Sequence, residues 1–332
     1  MVSRWRYRFL AVITAVALCG LSPRAGAETL REVLREHSLS SGSAPIRNLD
    51  RRITSYEVLD TAEEFVIAYY VDDGTPYLPS SLSVAHYSKG NSRWSEASIG
   101  RKDVTFPDGS EDCIGSADGL HRLGDFFLID THLSPSAGCL IVLDENLAVV
   151  KLLYGWYLAS LPPHIVVFHE SMMHFAPTHP MKISTFDLDQ EQAGQGTPSD
   201  ARATSLYPPR DDRLRAQYIQ RLRPLVGDEN WCNQHNSHCD PERFENEVTS
   251  SVAVNRTRGA FAFVVEYSPV GIVPEETIRK TPELRERVVY VYSGADYREF
   301  PLADMKQRFG ASTIEELVNP PIFDKVFASS DR

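Results

Sequence analysis

Residues 126–144 read FFLIDTHLSPSAGCLIVLD, two apolar runs joined by a polar segment that contains a proline. Apolar runs bounded by turn residues are typical of β-strands. The stretch therefore predicts a strand, a turn and a second strand. Residues 168–187, FHESMMHFAPTHPMKISTFD, have the same organisation. Both stretches contain a histidine, a bulky apolar residue, a small residue and a proline in that order, and both end in aspartate.

Short runs of the same kind recur along much of the chain, and no helical periodicity interrupts them between residues 51 and 207. The predicted strands cover residues 64–71, 81–88, 125–130, 139–144, 164–169, 182–187, 250–255, 260–267 and 287–293. Many short strands without helices between them argue against a parallel α/β sheet. The sequence therefore predicts a fold dominated by β-structure.

The two stretches also suggest an internal repeat, because their histidines, His132 and His174, are 42 residues apart. Weaker copies are Glu266-Tyr267-Ser268-Pro269 and Tyr77-Leu78-Pro79, each beside an apolar strand. A period of about 40–50 residues that carries about four strands resembles the β-propeller superfamily, at the level of the fold only. The resemblance covers residues 50–300 without the helical insertion described next, and it implies about five blades, with four to six compatible with the length. A β-sandwich is the alternative.

One segment, at about 208–248, departs from the strand pattern. Leu214, Tyr218 and Leu222 recur at helical spacing, and a second helix start follows at Asp240-Pro241-Glu242. This pattern predicts a helical hairpin inserted between β units.

Three other segments carry local signals. Thr29 and Glu32 form the sequence pattern of a capping box, which predicts a short helix. Residues 275–285 are polar and charge-rich, which predicts a surface loop, and residues 312–315 predict the start of a short final helix.

The first 27 residues have the pattern of a secretory signal peptide. Three arginines precede the apolar run at 9–21, and Ala25-Gly26-Ala27 supplies a small-residue cleavage site. The run is shorter than the roughly 20 residues that span a bilayer. We therefore expect export to the periplasm or the extracellular medium, no transmembrane segment after cleavage, and a single domain over residues 28–332.

The charge of the chain excludes one class of partner. The formal net charge is −11. Four arginines and no acidic residue lie in the predicted signal peptide, so the remaining residues carry −15. Nucleic-acid binding depends on clustered Lys and Arg that neutralise phosphates. We therefore expect no nucleic-acid partner.

Four cysteines remain after the predicted cleavage, and an even number in an exported chain favours two disulfides. Cys232–Cys239 would close a short polar loop, and Cys113–Cys139 would lie in one predicted structural unit. The competing interpretation of CNQHNSHC (232–239) is a zinc site, because it offers two cysteines and two histidines.

The repeat also predicts a site. If the blades surround one axis, then His132, His174 and Glu266 gather at one end of the molecule. Two histidines and a carboxylate suit a divalent transition metal, and they also suit general acid–base catalysis. The alternative is that each repeated histidine only bonds to the backbone of its own loop.

Three more residues are candidates for ligand binding. Asp130 precedes His132 by two residues and could orient its ring, and His179 shares a predicted loop with His174. Trp156 lies in a cluster of aromatic residues that would either stack on a sugar or fill the space between blades. The constant spacing of the four histidines at 164, 169, 174 and 179 creates no single site on a helix or a strand.

Together these patterns predict an exported β-propeller that binds a small molecule, a glycan or a protein through one face. The alternative is a hydrolase or lyase on the same scaffold that uses His132 and His174 with a carboxylate, either with or without a divalent metal as its cofactor.

Overall fold

The computed structural model describes residues 28–39, 46–72, 74, 80–106, 112–134, 137–170, 182–189, 204–207, 213–226, 246–268, 275–294 and 296–328. These residues are mostly β-structure in antiparallel sheets, none of which closes on itself. They form two compact units. The first unit comprises the described residues up to Asp103 together with Ile114–Leu120, and the second comprises those of Val104–Cys113 and from His121 onward.

The first unit contains one helix and a four-stranded antiparallel meander. The elements are α1 (Leu30–Glu36), β1 (Ile53–Asp60), β2 (Glu64–Val71), β3 (Ser81–Ser88) and β4 (Arg93–Gly100), with the strands in sequence order. The predicted capping box is present, because Thr29 and Glu32 exchange hydrogen bonds at the start of α1. The apolar face of α1 packs on β2, where Leu30 and Leu34 join Phe65 and Ile67 in one buried cluster.

A seven-stranded sheet follows. Its strands are β5 (Ser116–Leu123), β6 (Phe126–Ser134), β7 (Ala137–Leu143), β8 (Val149–Leu161), β9 (Ile165–Glu170), β10 (Ile183–Asp187) and β11 (Thr204–Tyr207), again in sequence order. Strand β5 begins in the residues of the first unit and ends in those of the second.

Strand β8 belongs to both halves of this sheet. Up to Tyr154 it pairs with β7, and from Gly155 onward it pairs with β9. The sheet is therefore two four-stranded meanders that share one long strand. Their apolar residues meet in one cluster, where Leu128 and Leu140 of the first half join Val166 and Phe168 of the second.

The rest of the second unit is a four-stranded meander with helices. Its elements are α2 (Arg213–Val226), β12 (Asn246–Asn255), β13 (Ala260–Tyr267), α3 (Glu275–Lys280), β14 (Glu286–Ser293), β15 (Asp296–Pro301), α4 (Met305–Phe309), α5 (Ile314–Leu317) and α6 (Ile322–Ala328). The prediction of helix around residue 214 is confirmed, and Leu214, Tyr218 and Leu222 of α2 are buried and, together with Ile219, pack on the sheets.

The β12–β15 sheet is covered on both faces. Phe261 and Phe263 of β13 pack with Val167 and Ile183 of the seven-stranded sheet. On the other face, the alternating residues of the same strands pack on the C-terminal helices α4 to α6. Both faces of this sheet are therefore packed against other elements of the second unit. The propeller is not confirmed, whereas a mostly β fold of antiparallel sheets is.

Two of the predicted repeats occupy equivalent positions. His132 lies near the end of β6 and Glu266 near the end of β13. Each strand is the second of its four-stranded meander. The other two copies, including His174, lie outside the described residues.

Residues 275–285 differ from the prediction. They form helix α3 and a short 3-10 helix at Pro282–Leu284, not a loop. Among the residues of α3 whose burial the structure describes, only Ile278 is buried, so the helix shows no apolar periodicity that would reveal it. The predicted final helix is present as α5, and α6 follows it.

Candidate functional site

Three of the predicted binding residues, Asp130, His132 and Trp156, lie near the point where β8 changes its partner from β7 to β9. Trp156 stacks on His169, with ring centroids 5.2 Å apart and an interplanar angle of 14°. Its indole also covers Gly138, where an added Cβ would lie 2.4 Å from the indole nitrogen. Gly138 is the cross-strand partner of His132. Trp156 therefore packs on protein groups on two sides, as expected of a residue that fills a gap between strands.

Asp130 has a structural role near the same point of β8. It is 9% exposed, and its Oδ2 accepts a hydrogen bond from the backbone N–H of Tyr157 at 3.3 Å. The pairing of β8 with β9 shifts register between Tyr157 and Ala159. The Asp130 carboxylate therefore ties β6 to β8 directly beside this irregularity.

Burial changes the charge state of His169. It lowers the pKa of the imidazole to about 4, because the charged ring would lose its hydration. Its Nε2 has no hydrogen-bond partner among the residues that the structure describes. Since His164 bonds instead to Asp189 at 2.7 Å, the two described histidines of the evenly spaced series have separate environments.

Glu266, the third member of the predicted catalytic set, is engaged elsewhere. Its Oε2 accepts a hydrogen bond from Nε of Arg287 at 2.7 Å, across the β13–β14 pair. Alternation places it on the face of β13 that carries Ala262 and Val264. The convergence of His132, His174 and Glu266 stays a prediction, because His174 and His179 lie outside the described residues.

No three His, Cys, Asp or Glu side chains come together as a metal site anywhere in the described ranges. The predicted disulfide Cys113–Cys139 is present. The predicted pair Cys232–Cys239 and the alternative zinc ligands lie in 227–245, outside the described residues. No helix in the described part of the chain is long and apolar enough to cross a membrane.

The second unit contains a cavity of about 590 Å³ that the sequence did not predict. It lies between the β8–β11 half of the seven-stranded sheet and the β12–β15 sheet. The ends of β8 and β10 and the starts of β9 and β11 form one wall, with Leu161 and Ile165 among its apolar residues. Phe261 and Tyr292 line the other wall, and Phe323 of α6 completes it.

The cavity lies at the opposite end of the strands from the predicted site. Phe261, at the start of β13, lines it, whereas Glu266 lies five residues later. Five residues of strand span roughly 17 Å. His169 is likewise at the far end of β9 from Ile165. The cavity is therefore a separate candidate site.

Polar groups enter the cavity at a few points. Asp187 ends β10, and Arg258 lies in the turn between β12 and β13. Thr185 and Thr204 lie on adjacent strands, and the Thr185 hydroxyl donates to the Thr204 carbonyl at 3.4 Å. The arrangement can hold an apolar body and provide a small number of directed polar contacts, which is the usual composition of a ligand pocket.

The sequence carries no signal of this cavity. Its lining comes from separate segments between Leu161 and Phe323, and each segment contributes only one to three residues.

Compared with known proteins, the chain matches no protein-family model and no curated protein.

Proposed function

We propose that this chain is a binding protein that holds a small, mostly apolar molecule in the cavity between its two sheets. The cavity itself is the observation that carries the proposal. Its volume of about 590 Å³ lies within the range of small-molecule pockets, about 300–1,000 Å³. Aromatic and aliphatic side chains form both walls, and the few polar groups lie at strand ends, where they can orient a ligand.

The proposal includes export. The signal-peptide pattern of residues 1–27 supports it, and so does the Cys113–Cys139 disulfide, since disulfides persist in oxidising compartments. A periplasmic or extracellular carrier or sensor of small molecules fits these features.

We propose that the four-stranded meanders are blade-like units of the fold. Two of the predicted repeats support this, because His132 and Glu266 each lie near the end of the second strand of a four-stranded meander. The described residues give less support to the alternative of a hydrolase or lyase, because the Glu266 carboxylate already accepts a hydrogen bond from Arg287.

Binding of N-phenyl-1-naphthylamine tests the proposal, because this uncharged probe becomes fluorescent in apolar surroundings. Thr204→Trp should weaken binding at least tenfold, since Thr204 lines the cavity from an exposed position and an indole would occupy the ligand's space.

Ser205→Trp is the matched control. Ser205 is also exposed and is not part of the lining, because neighbouring residues of a strand point to opposite faces. Equal probe affinity in both variants, or no probe binding to the unchanged protein, would overturn the proposal.

A further inference from the structure

We infer that the ligand of this cavity carries an anionic group, a carboxylate, which binds the guanidinium of Arg258. The inference rests on the proposed function and specifies the chemical class of the ligand. An apolar body would lie between the two sheets, with its charged end at the β12–β13 turn. The ligand is then an amphipathic monoanion, such as a medium-chain carboxylate.

The guanidinium of Arg258 has hydrogen-bonding capacity left over. Its Nη1 donates to Oδ1 of Asp324 at 2.9 Å, and the group lies over the ring of Phe323, 5.8 Å from its centroid. A guanidinium has five N–H donors in a planar fork. Its other N–H groups donate to no residue that the structure describes, and the side chain is 40% exposed, so a ligand can reach them.

Hydrogen bonds hold the backbone of the turn that carries Arg258, and Asp324 holds its guanidinium. The backbone N–H of Arg258 donates to Oδ1 of Asn255 at 3.2 Å. The amide of Asn255 in turn donates to the carbonyl of Val318 and to Oδ1 of Asn319, at 3.0 and 2.8 Å. The turn is therefore tied to the end of α5 and the segment before α6. A group that is already held in place loses less conformational entropy on binding.

The other charged residue of the lining is less suited to be the recognition group. One oxygen of the Asp187 carboxylate accepts the backbone N–H of Asp189 at 3.0 Å and so stabilises the turn after β10. The charge of Asp187 would attract a cationic ligand. An amine of equal length therefore tests whether the cavity prefers a cationic or an anionic ligand. An alcohol of equal length measures the contribution of the apolar body alone.

Displacement of N-phenyl-1-naphthylamine by octanoate, octanol and octylamine at neutral pH is the first experiment. Octanoate should bind roughly tenfold or more tightly than octanol, because a charge-assisted hydrogen bond contributes more than a neutral one. From hexanoate to decanoate, affinity should rise about threefold to fourfold per methylene. If octanol or octylamine competes as well as octanoate, the anionic ligand is wrong while the cavity function stands. Loss of all probe binding would instead overturn the proposed function.

Two variants separate recognition from structural support. Arg258→Gln removes the guanidinium. It should weaken the binding of octanoate by about tenfold or more and leave the binding of octanol unchanged. Asp324→Asn breaks the same ion pair but keeps the guanidinium, so octanoate should bind as tightly or more tightly. If Arg258 only holds α6 in place, both variants will weaken octanoate and octanol to the same degree. That result would overturn the inference.

Discussion

At the scale of single residues, His169 shows how burial decides what a histidine can do. Its ring is stacked on Trp156, and burial lowers its pKa to about 4. The ring is therefore neutral at pH 7. His121 has a pKa of about 4 for the same reason, with Arg256 as a smaller cause. Both rings act as packing groups in the neutral form.

The lowered pKa values of these two histidines predict that the folded protein loses stability in acid. The unfolded chain takes up a proton near pH 6.5, whereas the folded chain resists until about pH 4. The free energy of unfolding should therefore fall as the pH drops through this window, and this contribution should level off below it. For His169 the fall by pH 4.5 is up to about 2 kcal/mol. Urea unfolding of the unchanged protein and of His169→Phe at pH 7 and pH 4.5 measures the difference.

The variant should lose less stability between the two pH values, because phenylalanine cannot take up a proton. Adding His121→Phe should reduce the loss further. Parallel pH profiles for all three proteins would show that these rings do not contribute.

At the scale of elements, β8 depends on one glycine. At Gly155 the strand changes its partner from β7 to β9. A Cβ at this position would lie 2.0 Å from the carbonyl oxygen of His169, a backbone atom that cannot move aside. The absence of a side chain at Gly155 therefore permits the two halves of the sheet to share one strand.

Gly155→Ala should lower the free energy of unfolding by about 2 kcal/mol or more, because the methyl group forces the β8–β9 pair apart. Gly90→Ala is the control, since no atom lies within 4 Å of its added Cβ. Urea midpoints of the two variants test the prediction, and equal midpoints would contradict it.

Local signals succeeded where each element carries its own pattern. The strands Glu64–Val71, Ser81–Ser88 and Ala260–Tyr267 have the predicted bounds, because turn residues flank each apolar run. β11 (Thr204–Tyr207) was not predicted, since its four residues are too few to show alternation. Helix α3 was missed because only one of its described residues is buried.

At the scale of the whole molecule, the Cys113–Cys139 disulfide joins β7 to a residue 26 positions earlier in the sequence. Both cysteines are fully buried. A loop of this size restricts the unfolded chain enough to contribute about 3 kcal/mol. The bridge therefore stabilises the second unit mainly through the unfolded state.

The double variant Cys113→Ala/Cys139→Ala should lower the free energy of unfolding by about 3 kcal/mol, as measured by urea unfolding. Because the bridge is buried, dithiothreitol without denaturant should leave the unchanged protein folded and oxidised. A loss below about 1 kcal/mol would show that packing around these residues, not the bridge, holds this part of the chain.

The sequence by itself determined most of the strands, the capping box of α1 and the buried face of α2, and it favoured the pairing of Cys113 with Cys139, which the structure decided among the three possible pairings. These features depend on residues that are close in sequence or on side-chain alternation within one element. The tertiary structure alone decided the covering of both faces of the β12–β15 sheet, the engagement of Asp130 and Glu266 by structural partners, and the cavity. The cavity could not be read from the sequence, because it is formed where strand ends distant along the chain meet, and no one of its segments has a pattern that predicts the others.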